Sequence, residues 1–306
     1  MSEPVSYGGQ AVIEGVMMRG PRYFAVVCRR ADGQILEHKE PVEASLGRFA
    51  WLKRPFLRGT FALLDALMLG VKALHFSANV ALADAEGKAG VSEGPKSVRD
   101  AAVTGSMVLG LGVGVALFMW APSLGAGLLH KTLHGDSRWL NAAEGVLRLA
   151  LFLGYLLVIS QLKDIRRVFE YHGAEHKTIN AYEAGLALTV PNVRSQSRIH
   201  PRCGTSFIII VLVIATLVHA LMGWSVWYWR ILQRLLVLPL VAGIAFEVIR
   251  LAGKHKDSLL LKWILSPGLA TQRLTTREPS DDQMEVAIRA LEGVLEKEQQ
   301  LVQATG

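Results

Sequence analysis

Residues Tyr171-His172-Gly173-Ala174-Glu175-His176 carry the densest chemistry in the chain. They spell H-x-x-E-H, in which the two imidazoles stand one helical turn apart and the carboxylate falls on the same face. Histidines at i and i+4 can supply two ligands to a divalent transition cation, zinc first among them, while a glutamate on that turn can take a proton from water. With nine His and 26 acidic residues in 306, a match to H-x-x-(D/E)-H arises by chance about 0.02 times in such a chain. Glu175 is therefore the candidate general base, and His172 and His176 are the candidate metal ligands.

A catalytic centre needs a third ligand, and the sequence offers several. Glu183 lies seven residues beyond His176 and projects from nearly the same face if the helix continues. Glu247 sits near the end of a long apolar segment, where a carboxylate is costly enough to suggest a task; pairing with Arg250 or a neighbouring base is the plainer use. His200-Pro201-Arg202-Cys203 adds an H-x-x-C pair. Joined to His172 and His176, it would close a four-ligand zinc site of structural type, with no position open to water. Taken alone, Cys203 reads equally as a small buried hydrophobe. Glu14 and Arg19 are polar residues within an apolar strand pattern, and either line the site or form a buried ion pair. His130 and His134 share the i, i+4 spacing but have only Asp136 as a nearby carboxylate. With His219, they read as structural or surface residues.

The elements that must position these groups are mostly membrane helices. Hydrophobic residues make up 51% of the chain and the mean hydropathy is +0.31, which argues for a polytopic membrane protein. Four apolar stretches, 101–121, 145–162, 206–224 and 231–250, approach the ~20 residues needed to cross a bilayer. Segments 1–58, 83–100, 163–205 and 252–280 hold nine, three, seven and five Lys or Arg, whereas 122–143 and 225–230 hold two and one. The positive-inside rule then predicts that both termini and the 163–205 segment are cytoplasmic in a bacterial inner membrane. The aromatic run Trp224 to Trp229 falls at the opposite interface, as an aromatic belt would. This topology accounts for the net charge of +7 without invoking nucleic acid. Neither a Walker loop nor G-x-G-x-x-G occurs. Met1 to Gly9 lacks the basic and apolar regions of a signal peptide, so none is expected. Cys28 and Cys203, placed in a reducing compartment, predict no disulfide.

The expected fold is mainly α: about four transmembrane helices, an amphipathic helix, a small N-terminal β unit and a C-terminal soluble helix. Residues 1–54 form the β unit, because Phe24 to Cys28 and Ile35-Leu36 flank the turn signal Ala31-Asp32-Gly33, and Ala11 to Met18 can add another strand. Residues 55–100 comprise the amphipathic or interfacial helix and a charged linker, with Arg58, Asp65 and Lys72 along one stripe. The first transmembrane pair occupies 101–162, the metal-site segment 163–205, the second pair 206–252 and the tail 253–306. In the tail, Ser280 and Gln283 make a capping-box signature ahead of Met284, Ala287, Ile288, Leu291, Val294 and Leu295 at helical spacing.

Four words in the chain, Tyr7 to Pro21, Tyr171 to Lys177, His200 to Ser206 and Leu274 to Pro279, resemble the YqhQ-like family of bacterial membrane proteins. The resemblance runs over nearly the whole chain. That family is described as a domain of unknown function and a predicted metal-dependent enzyme, so the resemblance implies a metal role for His172, Glu175 and His176. The expected function is that of a membrane-embedded hydrolase acting on a peptide or other membrane-associated substrate. A non-enzymatic scaffold or assembly factor that binds a protein partner, with a structural metal or polar cluster, is the alternative. A transporter is weaker, because the spans show few midplane charges and no paired broken segments.

Overall fold

The computed structural model describes residues 7–42, 57–87, 98–133, 137–223, 226–254 and 258–305. An antiparallel sheet opens the chain, with β1 (Gly8–Val12), β2 (Gly15–Arg19), β3 (Tyr23–Arg29) and β4 (Ile35–Pro41) in sequential order. The β unit is thus a four-stranded meander rather than a hairpin with one added strand. β2 and β3 are the nearly continuous apolar runs Val16-Met17-Met18 and Phe24 to Cys28, as expected of strands covered on both faces. Alternate residues point oppositely. Val16, Met18, Ala25 and Val27 enter one core with Tyr171, Ile179, Met284, Leu291 and Val294. Met17, Phe24, Val26 and Cys28 enter another with Leu69, Ala73 and Val80.

Those second-core partners lie on α1 (Leu57–Ala85), a helix of 29 residues, or about 43 Å at 1.5 Å per residue. One half of α1 supports the sheet, and Asp84 there accepts from Arg30 Nε at 2.6 Å and Ala31 N at 2.9 Å. Its other half packs on α8 (Trp227–Lys254), where Gly59 admits Phe246, Arg58 pairs with Glu247, and Thr60 Oγ1 donates to Pro239 O. The helix is therefore shared between sheet and bundle, whereas the stripe of Arg58, Asp65 and Lys72 predicted an amphipathic or interfacial helix.

Four helical stretches are long and apolar enough to cross a membrane: Arg58–Ala85, Ala101–Leu128, Arg138–Ile159 and Tyr228–Leu251. The second is α2 (Val98–Val115), a π-helical turn (Ala116–Trp120) and α3 (Ala121–Leu133) in succession. Helix thus runs well into the expected 122–143 connection. Pro122 is the local cause of the irregular turn, since it has no N–H for the carbonyl four residues back, Phe118 O. α4 (Ser137–Ile159) starts earlier than the expected 145. α7 (Gly204–Ala220) is apolar but only 17 residues long.

Between these helices lie α5 (Lys163–Glu183) and the short α6 (Val190–Arg194). The chain ends with α9 (Leu259–Thr275) and α10 (Asp281–Thr305). α9 is absent from the sequence reading, which made 253–306 a tail with one helix. It packs on α7 because Gly268 allows the Ser206 backbone to approach. The capping box at α10 forms as expected: Ser280 N donates to Gln283 Oε1 at 2.9 Å, and Gln283 N donates to Ser280 Oγ. α10 then lies on the sheet face opposite α1, next to α5, giving a helix–sheet–helix cap on the bundle. Glu298 fastens it to the β2–β3 turn, accepting from Arg22 N at 2.7 Å, Tyr23 N at 3.1 Å and Arg22 Nε at 3.0 Å.

Candidate metal centre

α5 presents its H-x-x-E-H turn where the cap meets the bundle. Tyr171, Ala174 and Ile179 hold the helix in the core shared with β2 and α10. Gly173 lets the 276–279 segment lie against it, since a Cβ there would collide with Arg277 O, and Arg277 N donates to Phe169 O at 2.8 Å. This seats the end of α9 beside His172. A helix leaves its last carbonyls without intrahelical donors, and Thr275 O accepts from His172 Nδ1 at 2.8 Å. His176 Nδ1 in turn donates to Arg198 O at 2.7 Å. A carbonyl can only accept, so both Nδ1 atoms carry protons and each neutral ring presents the lone pair of Nε2.

The 195–203 segment brings a third donor. Asn180 Nδ2 donates to Ser197 O and Ile199 O, Lys177 Nζ donates to Arg194 O, and Gln272 bonds both the N–H and the C=O of His200. Cys203 is thereby held at the N-cap of α7, accepting from Thr205 N, with its Sγ 3.3 Å from His172 Nε2. Donor atoms of His172, His176 and Cys203 lie within 4.8 Å of one another. His176 and Cys203 are buried, whereas His172 is partly open to the outside.

Glu175 stands beside this trio. Its side chain is buried, the Gly9 amide donates to it, and its Oε2 is 3.9 Å from His172 Nε2. Gly9 has no Cβ to meet Glu175 Cγ, so β1 can come this close. Burial raises the carboxyl to about 7, partly offset by His172 and the Gly9 amide.

The other sequence candidates are placed elsewhere. His200 is near, with its ring 5.8 Å from that of His176; its buried Nε2 has no hydrogen-bond partner, and burial lowers it to about 4. Glu183 pairs with Arg202 and approaches His200 Nε2 at 3.7 Å. Glu247 forms a two-pronged pair with Arg58 at 2.7 and 2.5 Å, on the α1–α8 contact. Glu14 bonds Arg167 and accepts from Tyr171 Oη at 3.3 Å, so its partner is on α5 and not Arg19. It holds this position with a left-handed φ of 52° in the β1–β2 turn, an uncommon conformation for a residue other than glycine. Arg19 is half-buried in β2. His134 lies outside the described residues.

Sequence reasoning missed the Thr275 and Arg198 carbonyls, Gly9 and Gln272. Backbone acceptors leave no trace in residue type. Gly9 and Gly173 could have been noticed as close-approach glycines, though nothing identified their neighbours.

The fold and the site define a mainly helical protein with four helices long and apolar enough to cross a membrane, capped by a small sheet beside a His–His–Cys cluster. The chain belongs to DUF1385, a family described as a protein of unknown function, which matches residues 54–297. It is 39% identical over 305 residues to the uncharacterized protein YqhQ of Bacillus subtilis (strain 168), covering 96% of this chain and 94% of that protein. No solved structure matches.

Proposed function

We propose that this protein is a membrane-embedded, metal-dependent hydrolase, with His172, His176 and Cys203 as ligands and Glu175 as general base. The observation that supports it is the meeting of three donors within 4.8 Å, two of them imidazoles with both Nδ1–H groups tied to carbonyls. Such a carbonyl contact orients a ligating histidine and raises its basicity. Two nitrogens and one sulfur suit zinc, and three protein ligands leave a fourth position open. Glu183 and Glu247 are not required.

A cation held there supplies Lewis acidity, which acidifies water and polarises a carbonyl. Glu175 takes a proton from water as the oxygen adds to the substrate carbonyl. As the carbon–nitrogen or carbon–oxygen bond breaks, the same carboxyl returns the proton to the leaving atom. The Gly9 amide keeps Glu175 aimed at the site. Substrate approaches past His172, the partly exposed member of the trio. It is a peptide or other membrane-associated molecule that reaches the cytoplasmic face.

Elemental analysis of the purified full chain tests this reading. Wild type should carry about one zinc, His172→Ala/His176→Ala none, and Glu175→Gln should keep the metal while losing turnover of membrane-bound peptide substrates. A wild-type protein that stays metal-free after soaking in transition cations overturns it.

One observation favours a second reading. The His200 ring lies 5.8 Å from that of His176, and a ring that gave up its Nδ1 contact with Arg202 N could offer a nitrogen as a fourth ligand. The metal would then be structural, fastening cap to bundle in a scaffold. Full zinc with activity indifferent to Glu175→Gln selects that reading.

A further inference from the structure

The end of the bundle away from the His–His–Cys cluster holds charges that the hydrolase reading does not use. Glu144, two turns into α4, is almost fully buried. It accepts from Ser123 Oγ of α3 at 2.8 Å, from Arg148 Nη2 at 2.8 Å and from both terminal nitrogens of Arg234 of α8. Arg148 also donates through Nε to Phe118 O at 2.9 Å, the carbonyl that Pro122 deprives of its helical donor. One carboxylate therefore faces two guanidiniums, and the trio keeps one positive charge in excess. Ionised groups inside apolar helix bundles are costly and mark ligand or ion sites by default.

Beside the trio is a cavity of about 10 Å³ lined by Asn141, His219, Met222, Arg230, Gln233 and Arg234, large enough for one water-sized atom. Glu144 is not among these residues, so the lining is rich in N–H donors and contains no carboxylate. Asn141 Nδ2 donates to Met222 O at 2.8 Å and fixes the rim where α7 ends. A single oxygen of a phosphate suits a donor-lined cavity of this size, and guanidinium is the group that best recognises phosphate oxygens.

We infer that this end of the bundle binds a phosphate group, with one non-bridging oxygen entering the cavity and Arg234 carrying the compensating charge. A lipid headgroup or a free phosphate would present the same chemistry. The inference is independent of the metal centre, because the two sites lie at opposite ends of α4 and α7.

The test is thermal unfolding of the full chain in neutral detergent, with short-chain phosphatidylglycerol in one arm and inorganic phosphate in the other. A ligand that binds only the folded protein raises the midpoint by mass action, by about 5 °C near 100-fold the dissociation constant. Arg234→Gln removes the excess charge yet leaves the Glu144–Arg148 pair. His219→Phe fills the cavity and leaves all three charges, and decides the matter if the arginine variant does not fold. A rise with phosphatidylglycerol alone, absent in the variants, supports a lipid headgroup as the source; an equal rise with phosphate supports the free anion. No rise in either arm, or the same rise in wild type and variants, overturns the inference and leaves the trio a structural clamp.

Discussion

Glu144→Gln should be the most destabilising conservative substitution among the buried charges. The change keeps the volume and can keep the Ser123 hydroxyl bond, but it leaves two guanidiniums without an anion. Arg148 and Arg234 are 9% and 8% exposed, so water replaces little of what is lost. Removing one partner of a buried ion pair costs about 3–5 kcal/mol. At about 2 °C per kcal/mol for a chain of this length, the apparent midpoint should fall by about 6–10 °C. Glu247→Gln provides the internal comparison, because its pair with Arg58 is 24–28% exposed against 1–11% for Glu144, Arg148 and Arg234, so its loss should cost less. Arg234→Gln should fall between the two, since Glu144 retains Arg148. The assay is thermal unfolding of all three variants in one detergent, followed by intrinsic tryptophan fluorescence. A Glu144→Gln midpoint within about 2 °C of the Glu247→Gln midpoint would refute the argument, because it would mean that water already solvates the cluster.

Four further outcomes follow. Cys203→Ala should lower zinc occupancy relative to wild type, while Cys28→Ala leaves it unchanged, as measured by elemental analysis. Cys28 should resist iodoacetamide at pH 8 in the folded protein, because burial, and secondarily Glu14, push its thiol up to about 12; mass spectrometry of labelled peptides checks this. Gly173→Ala should destabilise by about 1–3 kcal/mol through overpacking and should weaken metal retention, since the 276–279 segment that carries Thr275 O toward His172 must move. Leu291→Ala, at a fully buried position between α10 and the sheet, should cost about 2–5 kcal/mol, seen as a lowered unfolding midpoint.

Much of the fold was legible where a pattern is local. The capping box at Ser280 and Gln283, three of the four expected apolar spans and the strands around Gly33 all follow from neighbours in sequence. The 206–224 stretch instead gives the shorter α7, and Arg58–Ala85 is long and apolar enough to cross. α9 escaped notice because Leu259 to Leu265 is apolar but too short to read as a span, and its partner α7 is remote. Helix continues into the expected 122–143 connection because Arg148, on the following helix, satisfies the carbonyl that Pro122 frees, a contact with no local signature. At the candidate site, the sequence offered Cys203 as a partner of His172 and His176, which the structure brings together, but it also offered Glu183 and Glu247, which lie apart. Glu247 lies with Arg58 across 189 residues, a pairing with no local signature. The orienting carbonyls were illegible for a simpler reason, since every residue has one.

The seating of α10 on β2 and β3 has a consequence for biogenesis. Glu298 meets Arg22 across 276 positions, so the sheet is synthesised first and its second cover last. During that interval Val16, Met18, Ala25 and Val27 are covered by α5 alone, without Met284, Leu291 and Val294 of α10, while α1 already shelters the opposite side. The half-covered β surface is the part of this chain most open to misassembly before α10 is made.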